Sequence, residues 1–142
     1  MNDSIETLWR FYKETEFLFT QILSSQLSFA IITAYNPCGE VLTACQNGLL
    51  DRKLQHEIHR LGLPYRAMIG TSHDRKHMEK SWAVVIDKAQ AVKLGCQFNQ
   101  NAIYYVEADC LHLIPCLVAK FDAHLGAFSP RVKLLLEFPD IG

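Results

Sequence analysis

Ile5, Leu8, Trp9, Tyr12, Phe19, Ile22 and Leu23 recur at helical spacing, so residues 3–23 are expected to form one amphipathic helix. Asp3 and Glu6 have the spacing of a capping box, in which each side chain satisfies an unpaired donor at the helix start. The apolar stripe suits a helix lying on a sheet, and its aromatics would also suit a partner-binding or dimerising helix. A polar break covers residues 24–28. Residues 29–35 are then apolar on both faces and rich in isoleucine, the pattern of a central strand. Asn36-Pro37 stops that strand, because proline lacks a backbone donor and restricts the residue before it.

Residues 40–47 read as a loop. A helix is expected over 48–61, with Leu50, Leu54, Ile58 and Leu61 on one face, Asn47 as its N-cap and Gly62 as its stop. Pro64 opens a strand that runs to about Gly70. Residues 71–80, TSHDRKHMEK, read as a polar loop, and residues 81–86, SWAVVI, as a strand. Asp87 caps a third helix, with Gln90 at the capping-box position and Ala91, Leu94 and Phe98 facing inward. Residues 99–101 close it. Residues 102–106 and 110–118 form a hairpin about a turn at 107–109. Residues 120–128 have no period. Ser129-Pro130 suits a helix start, so residues 131–138 are read as helix, with an edge strand as the alternative. Pro139 ends either one.

The middle of the chain is ordered β-α-β-β-α-β, the split arrangement of ferredoxin-like folds. The expected fold is therefore a single α+β domain over residues 1–142. It has a ferredoxin-like β-α-β-β-α-β core (residues 29–106), an N-terminal helix (residues 1–28) and a C-terminal extension (residues 107–142) that adds a hairpin strand.

The 142 residues, 49% apolar and 20% charged, suit one globular domain. A net charge of −1 argues against bulk electrostatic binding to nucleic acid. The start, Asn2-Asp3-Ser4-Ile5-Glu6, lacks the basic residues and apolar core of a secretory signal. No apolar run approaches the roughly 20 residues that span a bilayer, so no membrane partner is expected. Five cysteines, odd in number and never spaced C-x-x-C, read as reduced thiols and point to the cytoplasm.

Few residues suggest chemistry. His73 and His77 are four apart, but they sit in a polar segment with no third ligand, so no metal is expected. His56 and His59 fall on the outer side of a helix, and His112 alternates with apolar residues on a strand. Cys38 follows a strand end with no base assigned to it. Arg66, Arg75, Lys76 and Lys80 make a basic set diluted by Asp74 and Glu79. No glycine-rich phosphate loop is present and no cofactor is expected. What remains is a polar set: Thr33, Asn36, Asn47, Glu79, Ser81, Gln100 and Asn101. If the strands 29–35, 81–86 and 102–106 are antiparallel neighbours, these residues gather at one end of the sheet. There they could fix a small polar ligand by directional hydrogen bonds, or simply cap helices and tie down turns.

The same residues carry a resemblance. T-A-Y-N-P-C-G, then Asn47, then E-K-S-W, then A-x-x-L with F-N-Q-N-A-I resembles the bacterial family known as domain of unknown function 3293, over about residues 29–106. The resemblance implies a small bacterial protein without an established activity, and it supplies no catalytic residues.

Three functions follow as expectations. The first is a non-enzymatic binding or regulatory domain. It recognises a small polar ligand or a protein partner through Asn36, Asn47, Glu79, Ser81, Gln100 and Asn101. The second is an enzyme acting on a nucleotide-like polar metabolite, with Glu79 as general base and Asn36 and Gln100 orienting the substrate. The third is a protein-interaction module that uses the aromatic N-terminal helix.

Overall fold

A computed structural model describes residues 4–141. Its elements are α1 (Ile5–Lys13), β1 (Glu16–Phe19), β2 (Phe29–Thr33), α2 (Ala44–Arg60), β3 (Tyr65–Thr71), β4 (Met78–Val84), α3 (Lys88–Gln97), β5 (Ala102–Glu107), β6 (Cys110–Pro115), β7 (Ala123–Ala127) and β8 (Val132–Leu134). All eight strands join one sheet in the order β7-β6-β5-β2-β4-β3-β1-β8. The sheet curls into half a barrel, and the fold is a single domain of mixed α+β content.

β2 lies in the middle, antiparallel to β4 and to β5, and β3 is antiparallel to β4. Its apolar character on both faces has a direct cause: both faces are covered. Ala30 and Ile32 pack with Leu54 and Ile58 of α2 and with Leu94 of α3. Phe29 and Ile31 pack on the other face with Phe17, Phe19, Met68 and Phe128. Adjacent side chains point to opposite faces, so only a doubly covered strand buries every residue.

Four sequence expectations need correction. The N-terminal helix is short. Ser4 caps it, its hydroxyl accepting from the Thr7 amide, and it ends at Lys13; Asp3 lies outside the described residues. Phe17, Leu18 and Phe19 belong to β1 instead, and all three are buried. One side of a helix cannot bury three consecutive residues, whereas a strand between two packed layers can. Next, α2 begins at Ala44. Thr43 and Gln46 form its capping box, which leaves Asn47 inside the first turn rather than at the cap.

The polar stretch 71–80 is strand at both ends. Gly70 pairs with Glu79 and Ile69 with Lys80 in the β3–β4 ladder, so the loop shrinks to the residues between Thr71 and Met78. In the tail, Ser129-Pro130 opens a single 3₁₀ turn (Ser129–Arg131) and no helix follows. Val132–Leu134 extend instead as a parallel edge strand beside β1, whose open side offers the backbone partners a lone helix turn would not. No helix among the described residues is long and apolar enough to cross a membrane.

Candidate functional site

The turn after β2 is built from left-handed residues. Asn36 has φ 48° and ψ 61°, Cys38 has φ 56° and Gly39 has φ 79°. Asparagine and glycine adopt this region at low cost, which is why the strand can reverse here so abruptly. The turn is held from two sides. The Cys38 amide donates to the Asn99 carbonyl at 2.7 Å. From the other side α1 closes in: a Cβ on Gly39 would meet Leu8 Cδ1 at 2.6 Å.

Asn36 is the hub. Its amide donates to Asn47 Oδ1 at 2.9 Å, and Asn47 Nδ2 donates back to Asn36 Oδ1 at 3.0 Å. The same Oδ1 accepts from the Leu42 amide at 3.0 Å. Asn36 Nδ2 donates to Glu79 Oε2 at 2.8 Å. One side chain thus ties together the end of β2, the approach to α2, the first turn of α2, and β4.

Glu79 has only one oxygen engaged. Among the described residues Oε1 has no hydrogen-bond partner, and no buried side-chain polar atom is left unpaired, so Oε1 must retain contact with solvent. The residue as a whole is only partly buried, yet its carboxyl group is walled by protein atoms. Burial pushes its pKa up from 4.5 to about 7, against the opposing hydrogen bond from Asn36.

The other members of the polar set stand close by with separate tasks. Thr33 Oγ1 donates to the Lys80 carbonyl at 2.7 Å and accepts from the Tyr35 amide at 3.0 Å. Ser81 Oγ donates to the Glu79 carbonyl at 3.2 Å. Gln100 Nε2 donates to the carbonyls of Tyr35 (3.2 Å) and Phe98 (3.3 Å). Asn101 Nδ2 donates to the Tyr12 hydroxyl at 3.2 Å. Asn36, Asn47 and Glu79 therefore form one bonded group. Gln100 and Asn101 flank it through Tyr35 and Tyr12, with no direct bond to it among the described residues.

Three tyrosines and one aspartate were missed. Tyr12, Tyr35 and Tyr104 all have pKa values raised chiefly by burial, and the Glu79 charge adds to each. The Tyr104 hydroxyl donates to the Tyr12 carbonyl at 2.6 Å, with Thr15 Oγ1 at 2.8 Å, which fastens α1 over the site. Asp51 is buried on α2. It accepts from Trp82 Nε1 at 2.9 Å and pairs with Lys80 Nζ at 3.0 Å, while that ammonium lies 4.6 Å from the centre of a Trp82 ring. The signal for Asp51 was available: Asn47, Asp51, Leu54 and Ile58 share one helical face, so two polar residues occupy inward positions.

The rejected candidates stand apart. His73 is exposed and pairs with Glu16 at 2.8 Å, and Cys38 is exposed. Among the described residues no three His, Cys, Asp or Glu side chains gather as a metal cluster. Of the aromatics on the expected N-terminal helix, Trp9 on α1 and Phe19 on β1 are buried within the chain, while Phe11 on α1 is exposed. Two cavities lie away from the polar group. One, of about 290 Å³, is lined by Phe19, Leu23, Phe29, Val106 and Phe128 with Asp109 and Ser129 at its polar side. The other, of about 270 Å³, lies between Met68, Lys80 and the segment Phe138-Pro139.

Comparison with known proteins gives one match. The family model described as protein of unknown function (DUF3293) aligns with residues 32–103, just over half the chain. That segment contains Asn36, Asn47, Glu79, Ser81, Gln100 and Asn101 together with α2 and α3. Neither the curated proteins nor the solved structures searched contain a match. The chain belongs to the DUF3293 family.

Proposed function

We propose that the Glu79 end of the sheet is a binding site for a small polar ligand, in a domain that recognises rather than transforms it. The observation that carries this reading is the division of labour at Glu79. Asn36 holds one carboxyl oxygen at 2.8 Å, while the other has no partner among the described residues. A ligand bearing an N–H or O–H group supplies what that oxygen lacks. Tyr12 supports the reading: its oxygen accepts from Asn101, and among the described residues its own proton has no acceptor, which leaves it for an acceptor on the ligand. Asn47 and the oxygen of Asn36 serve as scaffold, because their hydrogen bonds are spent inside the chain.

The same reading treats β2-α2-β3-β4-α3-β5 as a ferredoxin-like core. The order β5-β2-β4-β3 and its uniformly antiparallel pairing support that description. The free cysteines suit the reducing cytoplasm of a bacterial cell.

Thermal-shift screening of metabolites and nucleotides tests the proposal. At least one compound is expected to raise the melting temperature of the wild type. Glu79→Gln and Gln100→Ala are each expected to weaken that ligand about tenfold, the value of one good hydrogen bond at a partly buried site. Absence of any shift in the wild type, or shifts in both variants as large as the wild type's, would sink the proposal.

One observation favours a second reading, in which the site is enzymatic. A carboxyl group with a pKa of about 7 is matched to proton transfer near neutral pH, so Glu79 could act as a general base. That reading requires turnover that rises with pH through about 7 and is lost in Glu79→Gln. Unchanged ligand on incubation with the wild type returns the choice to binding.

A further inference from the structure

His112 on β6 and His124 on β7 face each other across the ladder, with ring centroids 4.8 Å apart and Nδ1 to Nδ1 at 3.4 Å. The ladder itself is bent to achieve this. Cys110 pairs with Ala127 and Leu111 with Gly126, but His112 then pairs with His124, so Leu125 is an extra residue in β7. In an unbroken register His112 would face Leu125, and His124 would sit opposite Leu113 on the other side of the sheet. A one-residue slip exchanges the two faces of a strand, so it is the bulge that brings both imidazoles to one face. Gly126, at φ +87°, supplies the left-handed residue the bulge requires.

The separation is poor for a hydrogen bond and good for a shared ion. Good hydrogen bonds with nitrogen donors span about 2.7–3.2 Å, so a direct N–H···N contact here is stretched. Two imidazole nitrogens on a tetrahedral zinc, each at about 2.0–2.1 Å, stand about 3.3–3.4 Å apart. His124 is exposed and His112 is partly so, which leaves an approach from solvent.

We propose that His112 and His124 form a two-imidazole site for a borderline divalent transition cation of the zinc type. Both rings present the Nδ1 lone pair and carry their proton on Nε2. The remaining coordination positions go to water or to an external ligand. This site is independent of Glu79, which lies on β4.

Calorimetric titration of Zn²⁺ into the full, reduced chain tests it. One saturable equivalent is expected. His124→Gln, at an exposed edge position, and His112→Ala are each expected to raise the Kd about tenfold or more. The double variant His73→Ala/His77→Ala is expected to bind like the wild type. Circular dichroism of each variant confirms that it is folded. The proposal is overturned if the wild type shows no saturable binding below millimolar Zn²⁺. It is equally overturned if His124→Gln binds Zn²⁺ as tightly as the wild type, as it would if cysteines or the other histidines held the ion.

Discussion

Replacing Phe128 by alanine is expected to destabilise the fold by about 3–5 kcal/mol, the usual cost of truncating a buried phenylalanine. Phe128 is 5% exposed, and its ring centre lies 5.2 Å from Phe17, 5.6 Å from Phe29 and 6.2 Å from Phe19. It joins the C-terminal segment to β1 and β2 in one aromatic cluster, and edge-on aromatic pairs add to simple burial. It also borders the 290 Å³ cavity, so truncation enlarges an existing void that the neighbours already fail to fill. In a chain of this length the melting temperature should fall on the order of 10 °C. Phe121, 93% exposed, provides the control: Phe121→Ala should change stability by no more than about 0.5 kcal/mol. Phe128 lies beyond the family match at 32–103. Equal, small effects in the two variants would mean that the C-terminal segment is an appendage rather than part of the core.

Replacing Glu79 by glutamine is expected to stabilise the protein at pH 8 and to leave it unchanged at pH 4. The carboxyl group has a pKa of about 7 in the folded chain, against 4.5 as its ordinary value. Between these values the folded state keeps a proton that the unfolded state releases. Stability is therefore fully present below pH 4.5, falls as pH rises towards 7, and is level above that. Glutamine is neutral throughout and escapes the loss. Its amide can turn its oxygen to Asn36 Nδ2 and its NH₂ to the open side, so the scaffold bond survives. The gain at pH 8 should be about 2–3 kcal/mol, at or below the full linkage value because Oε1 retains water. Thermal melts of both proteins between pH 4 and pH 8 measure it directly. Parallel pH profiles for wild type and variant would contradict it. A carboxylate that costs stability at neutral pH is what the proposed ligand site at Glu79 requires.

The sheet's centre was legible because its signals are local. β2 could be read from its unbroken apolar run and its Asn36-Pro37 stop, and α3 from Asp87, whose side chain accepts from the Gln90 amide at 2.8 Å. The two edges were not legible, because their signals are in other parts of the chain. Phe19 continues a helical stripe on paper, and only the layers formed by Met68, Ile31 and Phe128 make a strand the better burial. β8 exists because β1 leaves a side open, which no pattern within 132–134 records. For the site, antiparallel neighbours were enough to place Asn36, Asn47 and Glu79 at one end. Their separate roles were hidden. Asn47 looked like a cap until Thr43 took that position, and Tyr12 looked like core because its ring is apolar while its hydroxyl is not. The His112–His124 pair depends on a bulge, and a bulge cannot be read from alternation alone.

The most direct test is a carbon-detected NMR titration of the Glu79 side-chain carboxyl in the wild type and in Asn36→Ala. The wild-type midpoint should fall near pH 7, and loss of the Asn36 hydrogen bond should move it higher. A midpoint near 4.5, unmoved by Asn36→Ala, would mean an ordinary solvated carboxylate and no site at this end of the sheet.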